Sequence, residues 1–189
     1  MITKETLRPK LEQLISDYSA EDKNLIFKAY DFAELNHFGQ KRASGEEFII
    51  HPISVAIILA EMRADKEMIA AGLLHDVVED TEVTLEEVAN LFGQGVANIV
   101  DGVTKISKFK SKNKREQNAE TIRKMLFAMT KDMRVIIVKL SDKIHNMRTL
   151  NFMPREKVRR IAKETIEIYA PLAGKLGMNV IKNDLENLS

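Results

Sequence analysis

The sequence Leu-Leu-His-Asp-Val-Val-Glu-Asp occupies residues 73–80 and places four ionisable groups directly after an apolar helical segment. Glu79 follows His75 by four residues and Asp76 by three, so on a helix the three side chains share a broad face. Charged groups are rare among Leu, Val and Ala unless something compensates their charge. Histidine nitrogen and aspartate oxygen are ordinary ligands of divalent ions, so a metal ion is one way to compensate them. A helix that simply ends in a polar turn is the alternative for this stretch taken alone.

Composition restricts the class of protein. At 189 residues the chain is most simply one domain, 1–189, large enough to bury a core without a covalent staple. It has no cysteine, which excludes disulfides and thiolate metal sites, and its formal net charge of +1 is too balanced for a general nucleic-acid coat. There is no apolar signal segment and no run of about 18 apolar residues. We therefore expect a cytoplasmic protein with no nucleic-acid or membrane partner, and its oligomeric state stays open.

Apolar residues recur at helical spacing along the chain, and no strand-length alternation stands out, so the predicted fold class is all-α. The spacing predicts a central helix over about 66–78 and a long helix over 133–150. A further helix is predicted to start at Pro154 and to end at Tyr169, because Pro171 should break it. Residues 105–115 carry six basic side chains and no acid, which predicts a mobile basic loop.

Two further polar sets lie outside the central stretch. In the helix over 133–150, the side chains of Lys139, Asp142, Asn146 and Thr149 fall within about 80° of one another, nearly opposite an apolar face. Val135 and Val138 border this polar stripe, which favours a cleft over open water and makes Asp142 a candidate ligand. His51 precedes Pro52 at the start of another predicted helix. The simpler interpretations are a solvated helix face for Asp142 and a helix-boundary residue for His51.

Taken together, three separate helices supply a mixed nitrogen and oxygen site. The candidate ligands are His51, His75, Asp76 and Asp142. This donor set suits Mn²⁺, Fe²⁺ or Zn²⁺, and a helical bundle can bring such side chains together in its core. Four protein ligands leave an octahedral ion two positions, for a water and a substrate oxygen. Glu79 and Asp80 lie one turn further on and could take the proton from that water. Asp80 could instead cap the turn into Thr81.

These residues, in this order, resemble the H…HD…D pattern of the HD metal-phosphohydrolase superfamily. A closer likeness, over about residues 29–188, is to the hydrolase domain of RelA/SpoT-type enzymes, which handle the alarmones ppGpp and pppGpp. The blocks that carry it are RASGE at 42–46, FIIHP at 48–52, LHDVVEDT at 74–81, VDGVTK at 100–105 and KLSDKIHNMRTL at 139–150. The bare H…HD…D pattern is moderately specific, whereas HDVVEDT and HNMRTL together are highly specific.

The resemblance implies an HD-domain bundle of about eight to ten helices with a metal site in its central cleft. It implies hydrolysis of the 3′-diphosphate of ppGpp or pppGpp to pyrophosphate and GDP or GTP, with one Mn²⁺ ion. By position, the metal ligands are His51, His75, Asp76 and Asp142, and the groups that activate water are Glu79 and Asp80. Arg42 would pack against the guanine base, and the nucleoside pocket would be lined by Ser44, Asn146 and Thr149.

The chain departs from the RelA/SpoT pattern at three positions. Ala43 stands where a second basic residue is frequent, and Ser141 and Lys143 replace the more usual alanine and arginine. Two alternatives remain: an HD enzyme acting on a dNTP, an NMP or NADPH, and a non-catalytic nucleotide-sensing module. Residues 171–189 resemble the link toward a synthetase domain. The chain is therefore expected to be either the hydrolase portion of a longer protein or a standalone hydrolase.

Overall fold

The computed structural model describes residues 3–107 and 114–189. Within these ranges the regular structure is helical, apart from an isolated β-bridge between Lys41 and Glu47. The described α-helical segments are α1 (Lys4–Leu14), α2 (Ala20–Asn36), α3 (Ile50–Glu61), α4 (Lys66–Leu74), α5 (Val77–Asp80), α6 (Leu85–Phe92), α7 (Gln94–Ser107), α8 (Lys114–Lys131), α9 (Arg134–Arg148), α10 (Arg155–Glu164), α11 (Ala170–Lys175) and α12 (Asn179–Asn187). Ten of these segments have eight residues or more, so the predicted all-α bundle of about eight to ten helices is confirmed.

Helix α9 lies at the centre of the bundle and packs against α3, α4, α7, α8 and α12. Ten of its fifteen residues are buried, and four of those ten are polar or charged: Ser141, Asp142, Lys143 and His145. Such side chains are seldom buried without partners. On the predicted polar stripe, Asp142 is buried and Lys139, Asn146 and Thr149 are partly buried, so the stripe is largely covered and is not an open solvated surface.

Close packing of α3 and α4 brings two histidines to one end of the bundle. A Cβ atom on Gly72 would lie 2.5 Å from the buried Leu59 Cδ1, so the missing side chain is what lets the two helices approach. The helices are joined by residues 62–65 and run in opposite directions. His51, at the start of α3, therefore meets His75, which follows the last residue of α4.

The predicted continuous helix over 66–78 is interrupted at the His-Asp pair. Helix α4 ends at Leu74, and the short helix α5 begins at Val77. Asp76 has φ −97° and ψ −10°, in the bridge region of backbone conformations where many active-site residues are found. The shared face expected for His75, Asp76 and Glu79 on a regular helix therefore does not carry across this break.

The prediction that Pro171 breaks the helix is wrong. Helix α10 continues through a π-helical segment, Thr165–Tyr169, directly into α11, where Pro171 is the second residue. In a continuous helix, proline removes one backbone hydrogen bond, so its place here needs a local change in the hydrogen-bond pattern. The wider π turn before it changes the hydrogen-bond register, which relieves the need for that N–H.

Both ends of the predicted basic loop over 105–115 are helical in the described residues. Residues 105–107 belong to α7, and α8 begins at Lys114. The rest of this prediction, residues 108–113, lies outside the described residues. None of the helices in the described ranges combines the length and the apolar character that crossing a membrane requires.

Candidate metal site

Four side chains predicted as ligands meet where α3, the break after α4, and α9 come together. His51 Nε2 lies 3.2 Å from His75 Nε2, 3.2 Å from Asp142 Oδ1 and 3.6 Å from Asp76 Oδ2. His75 Nε2 lies 3.2 Å from Asp76 Oδ2 and 3.8 Å from Asp142 Oδ1. The structure thus brings all four together from three separate stretches of the chain.

These separations suit a shared cation. Ligand atoms bound at about 2.1 Å lie about 3.0 Å apart at right angles and about 3.4 Å apart at the tetrahedral angle. Ligand atoms of His51, His75 and Asp142 all lie within 4.8 Å of one another, and these residues are at most 4% exposed. The Asp76 side chain is 21% exposed and provides the opening toward solvent. Two imidazoles and two carboxylates fit a divalent ion of the Mn²⁺, Fe²⁺ or Zn²⁺ type.

Electrostatics shows that this cluster demands positive charge. Burial alone would lower the pKa of His75, but the carboxylates of Asp76 and Asp142 outweigh it and raise the pKa to about 9. Burial likewise opposes ionisation of Asp76, yet His75 lowers its pKa to about 2. Two carboxylates therefore stay ionised beside a protonated His75, and a divalent cation could take the place of that proton.

Asp142 is held from both sides by residues of its own helix. Its Oδ2 accepts a hydrogen bond from Lys139 Nζ at 2.7 Å, and its Oδ1 accepts one from Asn146 Nδ2 at 2.5 Å. Burial would raise the pKa of Asp142, but Lys139 and the two histidines lower it well below its ordinary value. Lys139 Nζ also donates to Ser107 Oγ at 2.9 Å, which ties α9 to the end of α7.

His75 is oriented by the backbone of its own helix. Its Nδ1 lies 2.8 Å from the carbonyl oxygen of Gly72, and since a carbonyl only accepts, Nδ1 carries the proton. A cation bound in the cluster would displace the second proton, the one on Nε2, and would leave that lone pair directed toward the cation. Gly72 therefore serves the site twice, through its missing side chain and through its carbonyl.

His145 is a buried neighbour of the cluster that sequence reasoning left without a role. Its Nδ1 lies 2.7 Å from His51 Nδ1 and 3.3 Å from Arg42 Nη1. Burial, followed by His51 and Arg42, lowers the pKa of His145 to about 2, so the imidazole is neutral. Two features of the sequence could have pointed to it: His145 follows Asp142 by three residues on α9, and it belongs to the HNMRTL block. It was passed over because it is not part of the H…HD…D pattern.

Glu79 and Asp80, the predicted water-activating pair, are exposed on α5 beside the cluster. Their backbone N–H groups both donate to the Asp76 carbonyl, at 3.1 and 2.9 Å, which ties the short helix to the ligand residue. Burial and the charge of Asp76 raise the pKa of the Asp80 carboxyl. The carbonyl oxygen of Asp80 accepts a hydrogen bond from Gln40 Nε2 at 3.1 Å, which connects α5 to the 40–47 loop.

Two of the four predicted nucleoside-binding residues, Arg42 and Asn146, reach the cluster. Arg42, with 11% of its side chain exposed, donates through Nη2 to Asn146 Oδ1 at 2.9 Å. The Ser44 hydroxyl is buried, and no hydrogen-bond partner for it is found among the described residues. Thr149 Oγ1 donates to the carbonyl oxygens of His145 and Asn146, at 3.1 and 3.2 Å, which leaves its lone pairs as acceptors. Arg42 and Asn146 thus contact His145 and Asp142 directly, whereas Thr149 contacts only the backbone of α9 and Ser44 follows Arg42 by two residues in the 40–47 loop.

The departures from the RelA/SpoT pattern have different surroundings. Ala43 is exposed, whereas Ser141 and Lys143 are buried. The Lys143 ammonium lies 4.4 Å from the Tyr169 ring centroid and 3.7 Å from Glu164 Oε2, on the side of α9 that faces the C-terminal helices. The substitution at 143 therefore affects the contact with the π-helical segment rather than the ligand cluster.

A cavity of about 900 Å³ lies between α7, α8 and the start of α9, and its lining contains none of the predicted site residues. It is lined by the polar or charged side chains Asn98, Asp101, Lys105, Glu120, Arg123, Lys124, Lys131 and Asp132, together with Gly102, Ile106, Phe127, Ala128 and Val135. Its volume does not identify it as the functional site, because the histidines and carboxylates capable of chemistry converge elsewhere.

Comparison with known proteins agrees with this geometry. A family model described as HD domain matches residues 29–179. The bifunctional (p)ppGpp synthase/hydrolase SpoT of Escherichia coli (strain K12) is 51% identical over 179 residues, which cover 94% of this chain and 26% of that protein. A guanosine-3′,5′-bis(diphosphate) 3′-pyrophosphohydrolase of Haemophilus influenzae is 54% identical over 153 residues, which cover 81% of this chain and 23% of that protein. The chain thus spans about a quarter of the length of these curated relatives.

A solved structure gives the same result. It is described as a metazoan ortholog of SpoT that hydrolyzes ppGpp and plays a role in starvation responses. It matches with a TM-score of 0.64 at 26% identity, covering 90% of this chain and 94% of that one. The chain therefore belongs to the HD domain family, among its RelA/SpoT-type members.

Proposed function

We propose that this chain hydrolyses the 3′-diphosphate of ppGpp and pppGpp, releasing pyrophosphate and GDP or GTP, with Mn²⁺ as the cofactor. The observation that carries the proposal is the convergence of two imidazoles and two carboxylates from three helices, beside a carboxylate of raised pKa. The similar proteins suggest the substrate class, and the geometry of this chain supports the reaction class.

The proposed ligands are the four clustered side chains, His51, His75, Asp76 and Asp142. When bound there, the ion supplies Lewis-acid chemistry at a phosphoryl oxygen and lowers the pKa of water. Around it, Lys139 and Asn146 hold Asp142 in one orientation, and the Gly72 carbonyl holds His75. Partners of this kind orient ligand side chains and are a large part of metal affinity.

Asp80, with Glu79 beside it, is the proposed proton acceptor for the attacking water. A raised pKa makes the Asp80 carboxylate a stronger base than an ordinary aspartate, which suits proton abstraction. The water oxygen forms a bond to phosphorus, the bond between that phosphorus and the ribose 3′ oxygen breaks, and the ribose oxygen takes up a proton. Glu79 is proposed to align the water.

The nucleoside is proposed to bind on the Arg42 side of the cluster. A guanidinium can stack on a purine ring, and Arg42 is held beside the metal site by Asn146. The buried Ser44 hydroxyl offers a donor and an acceptor to a ligand, and the Thr149 oxygen offers an acceptor. Ala43 is exposed and has no charge with which to bind the substrate phosphates. The cation and neighbouring basic side chains would therefore bind those phosphates.

The direct test is pyrophosphate release from ppGpp by the purified chain with Mn²⁺, and its loss on adding EDTA. Asp142→Asn should abolish release, because it removes one proposed ligand charge. The matched control is Asp184→Asn, the same change at a half-exposed position on α12, which should behave as wild type. Turnover of GTP, dGTP, GMP and NADPH under the same conditions separates the substrate classes. Preference for a nucleotide without a 3′-diphosphate, or tight ppGpp binding without turnover, would remove the proposal.

A further inference from the structure

His51 can bind a cation only in one of its two neutral tautomers. Its Nε2 is the atom that faces His75 and Asp142, so the lone pair must be on Nε2 and the proton on Nδ1. The partner of His51 Nδ1 is another imidazole nitrogen, His145 Nδ1, at 2.7 Å. Two imidazole nitrogens can share one proton in either direction, so this contact alone does not select the tautomer.

Arg42 resolves the direction of that hydrogen bond. Its Nη1 lies 3.3 Å from the same His145 Nδ1. A guanidinium carries donors only and is not deprotonated in proteins, so His145 Nδ1 must be the acceptor. An imidazole nitrogen that accepts from Arg42 has no proton to give to His51. The proton in the contact between the two histidines therefore belongs to His51 Nδ1.

We propose that Arg42 and His145 are positioning residues that keep the proton of His51 on Nδ1 and so leave Nε2 free to bind the cation. His75 reaches the same state by a shorter route, since the Gly72 carbonyl can only accept. The inference rests on the proposed function only in treating His51 as a metal ligand. It gives Arg42 a task besides the nucleotide contact, and it gives His145 a task where none was assigned.

The test compares two substitutions of equal shape. His145→Asn places an amide oxygen, an acceptor, near the former Nδ1, whereas His145→Leu has the same branched outline and no acceptor. Both lose the same imidazole packing, so the difference between them isolates the hydrogen bond. We expect His145→Leu to bind Mn²⁺ about 10–100-fold more weakly than wild type, and His145→Asn to stay close to wild type.

A spectroscopic measurement on the metal-free protein gives a readout that packing alone would not move. Long-range ¹H–¹⁵N spectra report which nitrogen of each histidine carries the proton. Without a metal, Asp142 Oδ1 lies 3.2 Å from His51 Nε2 and, as an acceptor, favours a proton there, in opposition to the His145 contact. We expect the His145 contact to prevail, with Nδ1–H at His51 in the wild type and in His145→Asn, and a shift toward Nε2–H in His145→Leu. The control is His37→Leu, which removes another buried histidine, one whose ring stacks on Phe48 and whose Nδ1 contacts Gln40.

Several results would overturn the inference. One is equal Mn²⁺ affinity in the Leu and Asn variants, and another is Nε2–H at His51 in the wild-type protein. If His145→Leu fails to fold by circular dichroism, Arg42→Met serves in its place: it leaves both imidazoles present, and an unchanged His51 tautomer there would equally reject the proposal. Absence of Mn²⁺ binding by the wild type would instead reject the proposed function, while the metal-free spectra still decide the tautomer.

Discussion

Lys139 is the clearest place to test how the buried carboxylates are stabilised. Its ammonium, with the side chain 12% exposed, donates to Asp142, whose side chain is 6% exposed. Lys139→Met keeps the length and helix propensity of the side chain and removes its charge. Removing one partner of a buried ion pair costs about 3–5 kcal/mol, because the remaining charge is left uncompensated. For a chain of this size, about 2–4 °C per kcal/mol gives a fall in Tm of about 6–20 °C.

The assay is thermal unfolding followed by circular dichroism, in EDTA and again with saturating Mn²⁺. The matched control is Lys105→Met, which removes the cation of a within-helix pair with Asp101 whose lysine side chain is 67% exposed. An exposed pair contributes about 0.2–1 kcal/mol, so its Tm should move little. Saturating Mn²⁺ should recover part of the loss in Lys139→Met, because the cation compensates Asp142, and should leave the Lys105→Met difference unchanged.

The outcome that refutes this reasoning is a Lys139→Met protein no less stable in EDTA than Lys105→Met. The histidines alone would then be enough to keep Asp142 ionised, and the positive charge of Lys139 would not be needed to stabilise it. An equal loss of stability with and without Mn²⁺ would show that Lys139 acts through packing or through Ser107 rather than through the shared charge.

Three further predictions concern catalysis and packing. Glu79→Gln with Asp80→Asn should keep Mn²⁺ and ppGpp binding and lower kcat about 10²–10⁴-fold, as measured by calorimetry and pyrophosphate release; nearly intact turnover would assign the base elsewhere. Because the folded-state pKa of Asp80 is raised, its base form is lost on acidification, so kcat should fall with a midpoint above the ordinary aspartate value of 3.8, and Asp80→Asn should remove that limb of the profile. Gly102→Ala should destabilise by about 1–3 kcal/mol in urea titrations, since its Cβ would lie 2.6 Å from Val135 Cγ2 on α9; an increase in stability would show that helix propensity outweighs the clash.

Local sequence patterns were sufficient for much of the fold. The spacing of apolar residues predicted an all-α chain, because one buried stripe of a helix leaves a period near 3.6 in the sequence. Adjacent ionisable groups at 75 and 76, a histidine before Pro52 and an aspartate on a polar stripe were enough to select four side chains, and the structure brings those four together. Their roles as ligands remain a prediction for the metal-binding experiments.

The tertiary structure decided what lies around those side chains. Whether the stripe of α9 faced water depended on helices packed against it from distant parts of the chain. They bury Asp142 and partly cover the other three side chains of the stripe. The contact between His51 and His145 joins residues 94 positions apart, and Arg42 approaches His145 from 103 positions away. A periodic pattern records which face of one helix is apolar. It does not show which distant residue contacts a polar atom on that face. Those contacts determine the charge of the cluster and, by our proposal, the tautomer of His51.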